Sequence, residues 1–259
     1  MTDITEPAEL DIGRVIQETF AVLGRHFVTF LILALILVGI PRALVGLTQV
    51  SMVRAAAGAL TFAGPAMYWG FLGGLVSLVT SAILQATIIT AAASDLNGRP
   101  VSVGECLRVG LRAFLPLIGL SILLGIAIGL GFILLIVPGI LLWLAWCVAV
   151  PAYVVEQPGV FASFERSADL TRGNRLRIFA LACVFVVAAI IVTIVVGAVG
   201  GILSFATAGL FVYVSAAIVS PVIAAVVGAL AATLSAVLYM ELRRVREGAG
   251  ASSLATMFD

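Results

Sequence analysis

The sequence predicts an all-α fold: a polytopic helical membrane protein with six transmembrane helices and three cytoplasmic interfacial amphipathic helices. Three observations carry this. First, 63% of the 259 residues are hydrophobic and only 10% are charged, against roughly a quarter charged in a soluble domain. The mean hydropathy is correspondingly high, at +1.25. Second, the apolar runs are about 20 residues long, enough to cross about 30 Å of hydrocarbon as helices. Third, runs such as Leu31–Ile40 and Leu181–Val196 show no period-two alternation, which a barrel strand would need.

Residues 1–9 read as a disordered leader. Asp3, Glu6, Glu9 and Asp11 make the start acidic, unlike the basic opening of a cleaved signal peptide, so the first span is expected to stay. From Leu10 the chain turns helical, with Ile12, Val15, Ile16, Phe20, Leu23 and Phe27 forming an apolar face and Asp11, Arg14, Gln17, Glu18 and Arg25 mostly opposite. That pattern suits a helix lying in the membrane interface. Span one follows at about 27–47, with Pro41-Arg42 near its far end. Residues 48–70 read as an extracytoplasmic loop with some helix, closed by the interfacial pair Tyr68-Trp69. Span two, about 71–93, ends at an Asp95-Leu96-Asn97-Gly98 turn.

Val101–Phe114 reads as the second short amphipathic helix, with Val103, Leu107, Leu111 and Phe114 against Arg108 and Arg112. Spans three and four follow at about 115–137 and 140–155. Pro138-Gly139 is the expected hairpin between them, since both residues break helices. The polar stretch Glu156–Phe179 holds the third amphipathic helix. Phe161, Phe164 and Ala168 form one face, Arg166, Asp169 and Arg172 the other, and Gly173 closes it as a C-cap. The last apolar run divides near 204–209 into spans of about 178–203 and 210–240, the second kinked by Pro221. Residues 10–247 form a single membrane domain, and 248–259 read as a flexible tail.

Arginine placement sets the orientation. The chain has no lysine, and all 14 of its basic residues are arginine. With both ends cytoplasmic, all but Arg42 and Arg54 fall on the cytoplasmic side, as the positive-inside rule requires. The unit of small turn, amphipathic helix, basic residue near phenylalanine and two-span hairpin occurs three times. A threefold hairpin repeat would explain it, and so would the basic cytoplasmic loops of any polytopic protein.

Catalytic constellations are missing from the sequence. There is no G-x-S-x-G, no H-E-x-x-H and no dinucleotide glycine fingerprint, and a Walker A loop needs a lysine. One histidine, His26, sits at a helix–span junction, where an interfacial aromatic is the expected role. Cys106, Cys147 and Cys183 have no metal or redox spacing. No catalytic, cofactor or metal residues are assigned, and no enzyme activity or nucleic-acid partner is expected. Within the spans, Gln85 reads as an interhelical hydrogen-bond partner. Gly70/Gly74, Gly125/Gly129 and Gly197/Gly201 have the spacing for close helix approach.

Arg108, Arg112, Arg166, Arg172, Arg175 and Arg177 are the candidate functional residues. Juxtamembrane arginines contribute about 1 kcal/mol each toward an anionic lipid surface. They also fix topology, and Glu156, Glu165 and Asp169 are within reach as ion-pair partners. Glu156, Pro138, Gly139 and Gly173 are assigned structural roles.

Pro151 and Glu156 at the end of span four, followed by Phe164-Glu165-Arg166-Ser167-Ala168-Asp169-Leu170-Thr171-Arg172-Gly173-Asn174, resemble the membrane domain attached to some glycerophosphodiester phosphodiesterases and related stand-alone six-span proteins. Pro138-Gly139-Ile140 and the Ile12–Phe27 helix fit the same resemblance. It implies a six-span protein of the bacterial inner membrane. The phosphodiesterase activity of such proteins resides in a separate barrel of about 250 residues, which this sequence lacks. The expected role is therefore a non-enzymatic membrane-organising or partner-binding subunit, with anionic lipid, a protein partner or a second copy as binding partner. A small-molecule or lipid permease is the alternative, and it predicts a polar mid-membrane cavity near Gln85, Ser77, Thr80 and Ser81.

Overall fold

In the computed structural model the backbone of residues 10–58, 64–206 and 210–258 is described, with side chains for 10–49, 68, 70–200, 202–203 and 211–247. The leader, the centre of the break between spans five and six, and the Trp69 side chain lie outside the described residues. Among the described residues every regular element is helical, and six helical stretches are long and apolar enough to cross a membrane: Phe27–Gln49, Gly70–Leu96, Val103–Leu134, Ile136–Glu156, Arg175–Gly200 and Phe211–Glu247. The protein is a polytopic helical membrane protein.

Helix α1 (Ile12–Arg25) starts where the Asp11 carboxylate accepts the Arg14 amide at 3.2 Å, satisfying one of the orphan donors of a helix start. Its inward stripe is Val15, Thr19 and Val22, with the Thr19 hydroxyl returned to the Val15 carbonyl at 2.7 Å. Phe20 and Phe27, on the face expected to turn toward acyl chains, are exposed, while Ile12, Ile16 and Leu23 of the same face pack against the bundle.

Span one comprises α2 (Phe27–Ala34), a π turn (Leu35–Gly39) and α3 (Ile40–Gly58). Span six repeats this: α10 (Leu210–Val214), a π turn (Ser215–Val219) and α11 (Ser220–Phe258). Each π turn ends two residues before a proline, Pro41 or Pro221. Proline lacks the N–H and crowds the preceding turn, and a widened turn absorbs both problems. The distortion expected at Pro221 takes this form. The two irregular turns also meet each other's helices, one packing on α11 and the other on α3. A Cβ on Gly46 would lie 2.8 Å from the Ala216 carbonyl oxygen, so glycine is what permits the close approach.

Helix α4 (Gly64–Leu96) is the centre of the bundle, packing on α3, α5, α7 and α11. It starts well before residue 71, and the helix of span one runs on to Gly58, so most of the loop expected at 48–70 is helix. The turn after it is as expected, with Gly98 at φ +68°.

Helix α5 (Val103–Leu134) is a single helix that passes through Pro116. The second interfacial helix expected at 101–114 is thus the first part of span three, and the second unit of the suggested repeat departs from the first and third. Its packed stripe is Cys106, Gly110, Ala113 and Leu117, while Leu111 and Leu115 are exposed.

The hairpin between spans three and four is Leu135, whose extended backbone separates α5 from α6 (Ile136–Trp146). Pro138 and Gly139 were expected to make this turn; they lie inside the first turns of α6 instead. Proline is tolerated there because the first helical N–H groups have no intrahelical acceptor. Gly139 is needed for packing, since a Cβ would fall 2.6 Å from the Phe132 ring. Span four continues after a turn at Cys147-Val148 as α7 (Ala149–Glu156).

Helix α8 (Val160–Thr171) buries Ser163, Ser167, Leu170 and Thr171. The Ser167 hydroxyl donates to the Ala145 carbonyl at 2.8 Å, freed by the break after α6. Of the expected apolar face, Phe161 is 76% exposed, and Phe164 meets the Trp146 ring edge-on at 5.1 Å. Gly173 fulfils its expected capping role at φ +87°. Helix α9 (Arg175–Ala206) is the peripheral span, with exposed apolar residues around most of its length. The helix of span six continues to Phe258, where a flexible tail was expected from residue 248.

Of the glycine pairs singled out by spacing, Gly201 lies outside the described residues and Gly70 has only Gln49 within reach, at 3.9 Å. A Cβ on Gly74, Gly125, Gly129 or Gly197 would meet nothing within 4 Å. Gly46, Gly73, Gly110, Gly131 and Gly139 make the close approaches.

Candidate functional site

The polar groups of the described residues concentrate at one end of the bundle, where α1, α7, α8 and α11 converge. At its centre, Arg166 on α8 forks onto Glu156 at the end of α7: Nε donates to both carboxylate oxygens at 3.1 and 3.0 Å, and Nη2 to Oε1 at 2.8 Å. The fully buried Tyr239 on α11 donates its hydroxyl to the same Oε1. Arg166 Nη2 also reaches Glu247, which pairs with Arg243 Nε at 2.9 Å. Two carboxylates, two guanidinium groups and one phenol thus tie three helices together with balanced charge. The Glu156 hydrogen bond, the largest influence, and then Glu247 hold the Arg166 guanidinium charged well above its ordinary range, against the opposing effect of burial.

Two further ties close this end. Arg25 Nη2 lies 2.9 Å from Asp95 Oδ2, and His26 Nε2 lies 3.1 Å from Asp95 Oδ1. His26 therefore pins the α1–α2 junction to the end of α4. Across the bundle, the Leu10 amide donates to Asn174 Oδ1 at 3.4 Å, and Arg177 Nη1 donates to the Leu10 carbonyl at 2.8 Å. Leu10 itself is 1% exposed. Glu241, 6% exposed, has Arg14 at 3.5 Å.

The six candidate arginines separate accordingly. Arg166 is consumed by Glu156 and Glu247, and Arg177 by the Leu10 carbonyl. Arg172 faces the exposed Asp169 at 3.5 Å. Arg175 is partly buried, its Nε without a hydrogen-bond partner among the described residues. Arg108 and Arg112 are exposed one helical turn apart on α5 and have no carboxylate partner among the described residues. Tyr239, Asp95, Glu241 and Glu247 were missed from the sequence. Tyr239 and Glu247 stood in an apolar run and a charged tail, with no spacing that linked them to Glu156. No group of three metal-ligating side chains occurs among the described residues.

The other half of the bundle holds cavities. One of about 580 Å³ lies between α9 and span six, lined by Arg42, Thr193, Phe211, Ser215 and Ser220 among others. A neighbouring one of about 440 Å³ is lined by Arg42, Gln49, Ser77 and Ser220. Of the four residues expected around a mid-membrane cavity, Ser77 lines the second of these. The Thr80 and Ser81 hydroxyls return to carbonyls of their own helix at 2.9 and 2.6 Å.

Residues 10–242 match the family model described as a domain of unknown function, DUF7847. The chain belongs to this family. It is also similar to the UPF0259 membrane protein SG1383 of Sodalis glossinidius (strain morsitans), at 32% identity over 113 residues. That alignment spans 44% of this chain and 45% of the bacterial relative, so the chain covers less than half of that protein's length. No solved structure matches. Neither match ties this DUF7847 member to the glycerophosphodiester phosphodiesterase membrane domain.

Proposed function

We propose that this protein is a non-enzymatic subunit of the bacterial inner membrane that organises lipid or a protein partner through its charged end. Both chain ends lie in the cytoplasm in this reading, because the charged end carries the arginines that the positive-inside rule assigns there. The single observation that carries the lipid contact is the pair Arg108 and Arg112. They stand one turn apart on the outer face of α5, beside the exposed apolar residues Leu111 and Leu115, with no carboxylate partner among the described residues. Cations placed so, at the boundary between lipid-facing and water-facing surface, suit anionic headgroups. The resemblance of the 164–174 stretch to membrane domains beside phosphodiesterase barrels supports a supporting rather than a catalytic role.

The charged network around Glu156 serves this by holding α7, α8 and α11 as one rigid platform. Replacing Arg108 and Arg112 together with glutamine tests the reading. Anionic lipid retained on the purified protein, counted by native mass spectrometry, should fall while zwitterionic lipid is unchanged. Equal retention of both lipids would reject the headgroup contact. The permease alternative draws on the cavities around Arg42, which lie in the opposite half of the bundle.

A further inference from the structure

Arg42 stands in an unusual place. It is fifteen residues beyond Phe27, about 22 Å along a helix at 1.5 Å per residue. The hydrocarbon is about 30 Å thick, so Arg42 lies inside the far part of the membrane rather than at a span end, because the helix continues past it to Gly58. No Asp or Glu occurs between Glu18 and Asp95, or between Asp169 and Glu241. Spans one, five and six therefore bring no carboxylate to its level. Among the described residues its hydrogen bond is the weak one from Nε to Ser77 Oγ at 3.4 Å, and Arg42 lines both cavities of this half. A charged group at this depth is costly unless something compensates it.

The cavity that Arg42 lines borders an apolar slot. The cavity of about 580 Å³ shares Ala189, Val192 and Val227 with a second one of about 200 Å³, which runs on to Leu181, Ile16 and Phe20. The slot lies between α9 and α11 and follows α9 for about 22 Å from Val196 to Leu181. One leaflet of hydrocarbon is about half the core, or about 15 Å, so an acyl chain fits within this length. Its walls are almost wholly apolar, with one cation and a few hydroxyls at one end.

We propose that Arg42 anchors the phosphate of a phospholipid whose acyl chain lies in the α9–α11 slot. Charge complementarity supplies the argument: an exposed guanidinium with no carboxylate at its level, at the mouth of a hydrocarbon-shaped groove, matches an anionic amphiphile. Arginine binds phosphate with two parallel donors. This site lies at the opposite end of the bundle from Arg108 and Arg112 and does not depend on them.

The test uses the full chain, delipidated in neutral detergent and titrated with phosphatidylglycerol under native mass spectrometry. Arg42→Gln should lower occupancy about tenfold, the loss of one charge-assisted contact, while Arg42→Lys retains most of it. Ala189→Trp leaves Arg42 intact and fills the slot, so it should lower occupancy as well and keeps the test open if Arg42→Gln fails to fold. Glycerophosphate, which carries the anion without a tail, should not compete. Unchanged occupancy in Arg42→Gln or in Ala189→Trp overturns the proposal. So does full competition by glycerophosphate, which would make this a soluble-anion site, or a dimer that dissociates in Ala189→Trp, which would put a second copy in the slot. In an Arg108→Gln, Arg112→Gln background, which removes the other anionic-lipid contact, Arg42→Gln should lower the remaining occupancy by the same factor.

Discussion

Arg166 and Glu156 sit ten residues apart and meet through three hydrogen bonds of 2.8 to 3.1 Å, so the end of span four is locked to the helix that follows it. The side chains keep 30% and 22% exposure. The pair is thus neither a screened surface bridge of small worth nor a fully buried one whose desolvation cancels its attraction. Its value is in what it joins, because Tyr239 brings in span six and Glu247 extends the network.

Removing Arg166 leaves Glu156 facing Tyr239 with no cation in contact. Arg166→Gln should destabilise the protein by about 2 kcal/mol, below the range for a fully buried broken pair because of the exposure. Tyr239→Phe removes one buried donor and should cost about 1 kcal/mol. Thermal unfolding in detergent, followed by circular dichroism, checks both. The double variant should lose less than the sum, since both residues act on the same carboxylate.

Gly110 packs against α4, and a Cβ there would lie 2.9 Å from the Ile83 carbonyl oxygen and in collision with the Thr87 hydroxyl. Gly110→Ala should cost about 1–3 kcal/mol through overpacking. Gly119→Ala, on the same helix with open space around it, should be neutral or stabilising, since alanine is the better helix former by about 1 kcal/mol. A thermal shift of the same size in both would contradict this packing.

Arg177 holds the Leu10 carbonyl, and Asn174 accepts the Leu10 amide. Arg177→Gln should loosen the entry to α1 without disturbing the spans. Hydrogen exchange should quicken at residues 10–15 and remain slow in the middle of α4.

The membrane fold is legible in the sequence because hydrophobic length sets it, and Gly173 and the Asp95–Gly98 turn are legible because their residue chemistry is local. What escapes is which face of each helix meets protein. In a soluble protein the most apolar face packs inward, but in lipid the most apolar face can turn outward and small residues take the interface. This is why Phe20, Phe161 and Leu111 are exposed while Thr19, Ser167 and Gly110 are packed. Pro138-Gly139 misleads for a related reason: these residues break helices in their interiors but are tolerated in a first turn, so the break falls three residues earlier, at Leu135. The Glu156 network joins residues 83 apart, and no periodicity within one helix can announce such a contact. Of the six arginines, the sequence could not separate those consumed inside the protein from those left outside, because the partners come from distant helices.

In the proposed function Arg108 and Arg112 face anionic lipid while Arg166 serves the fold. The most direct measurement compares two variants, Arg108→Gln with Arg112→Gln and Arg166→Gln alone, by thermal stability and by native mass spectrometry of retained lipid. Loss of anionic lipid at unchanged stability is expected in the first, and loss of stability in the second. Loss of stability in the first with anionic lipid fully retained would contradict it.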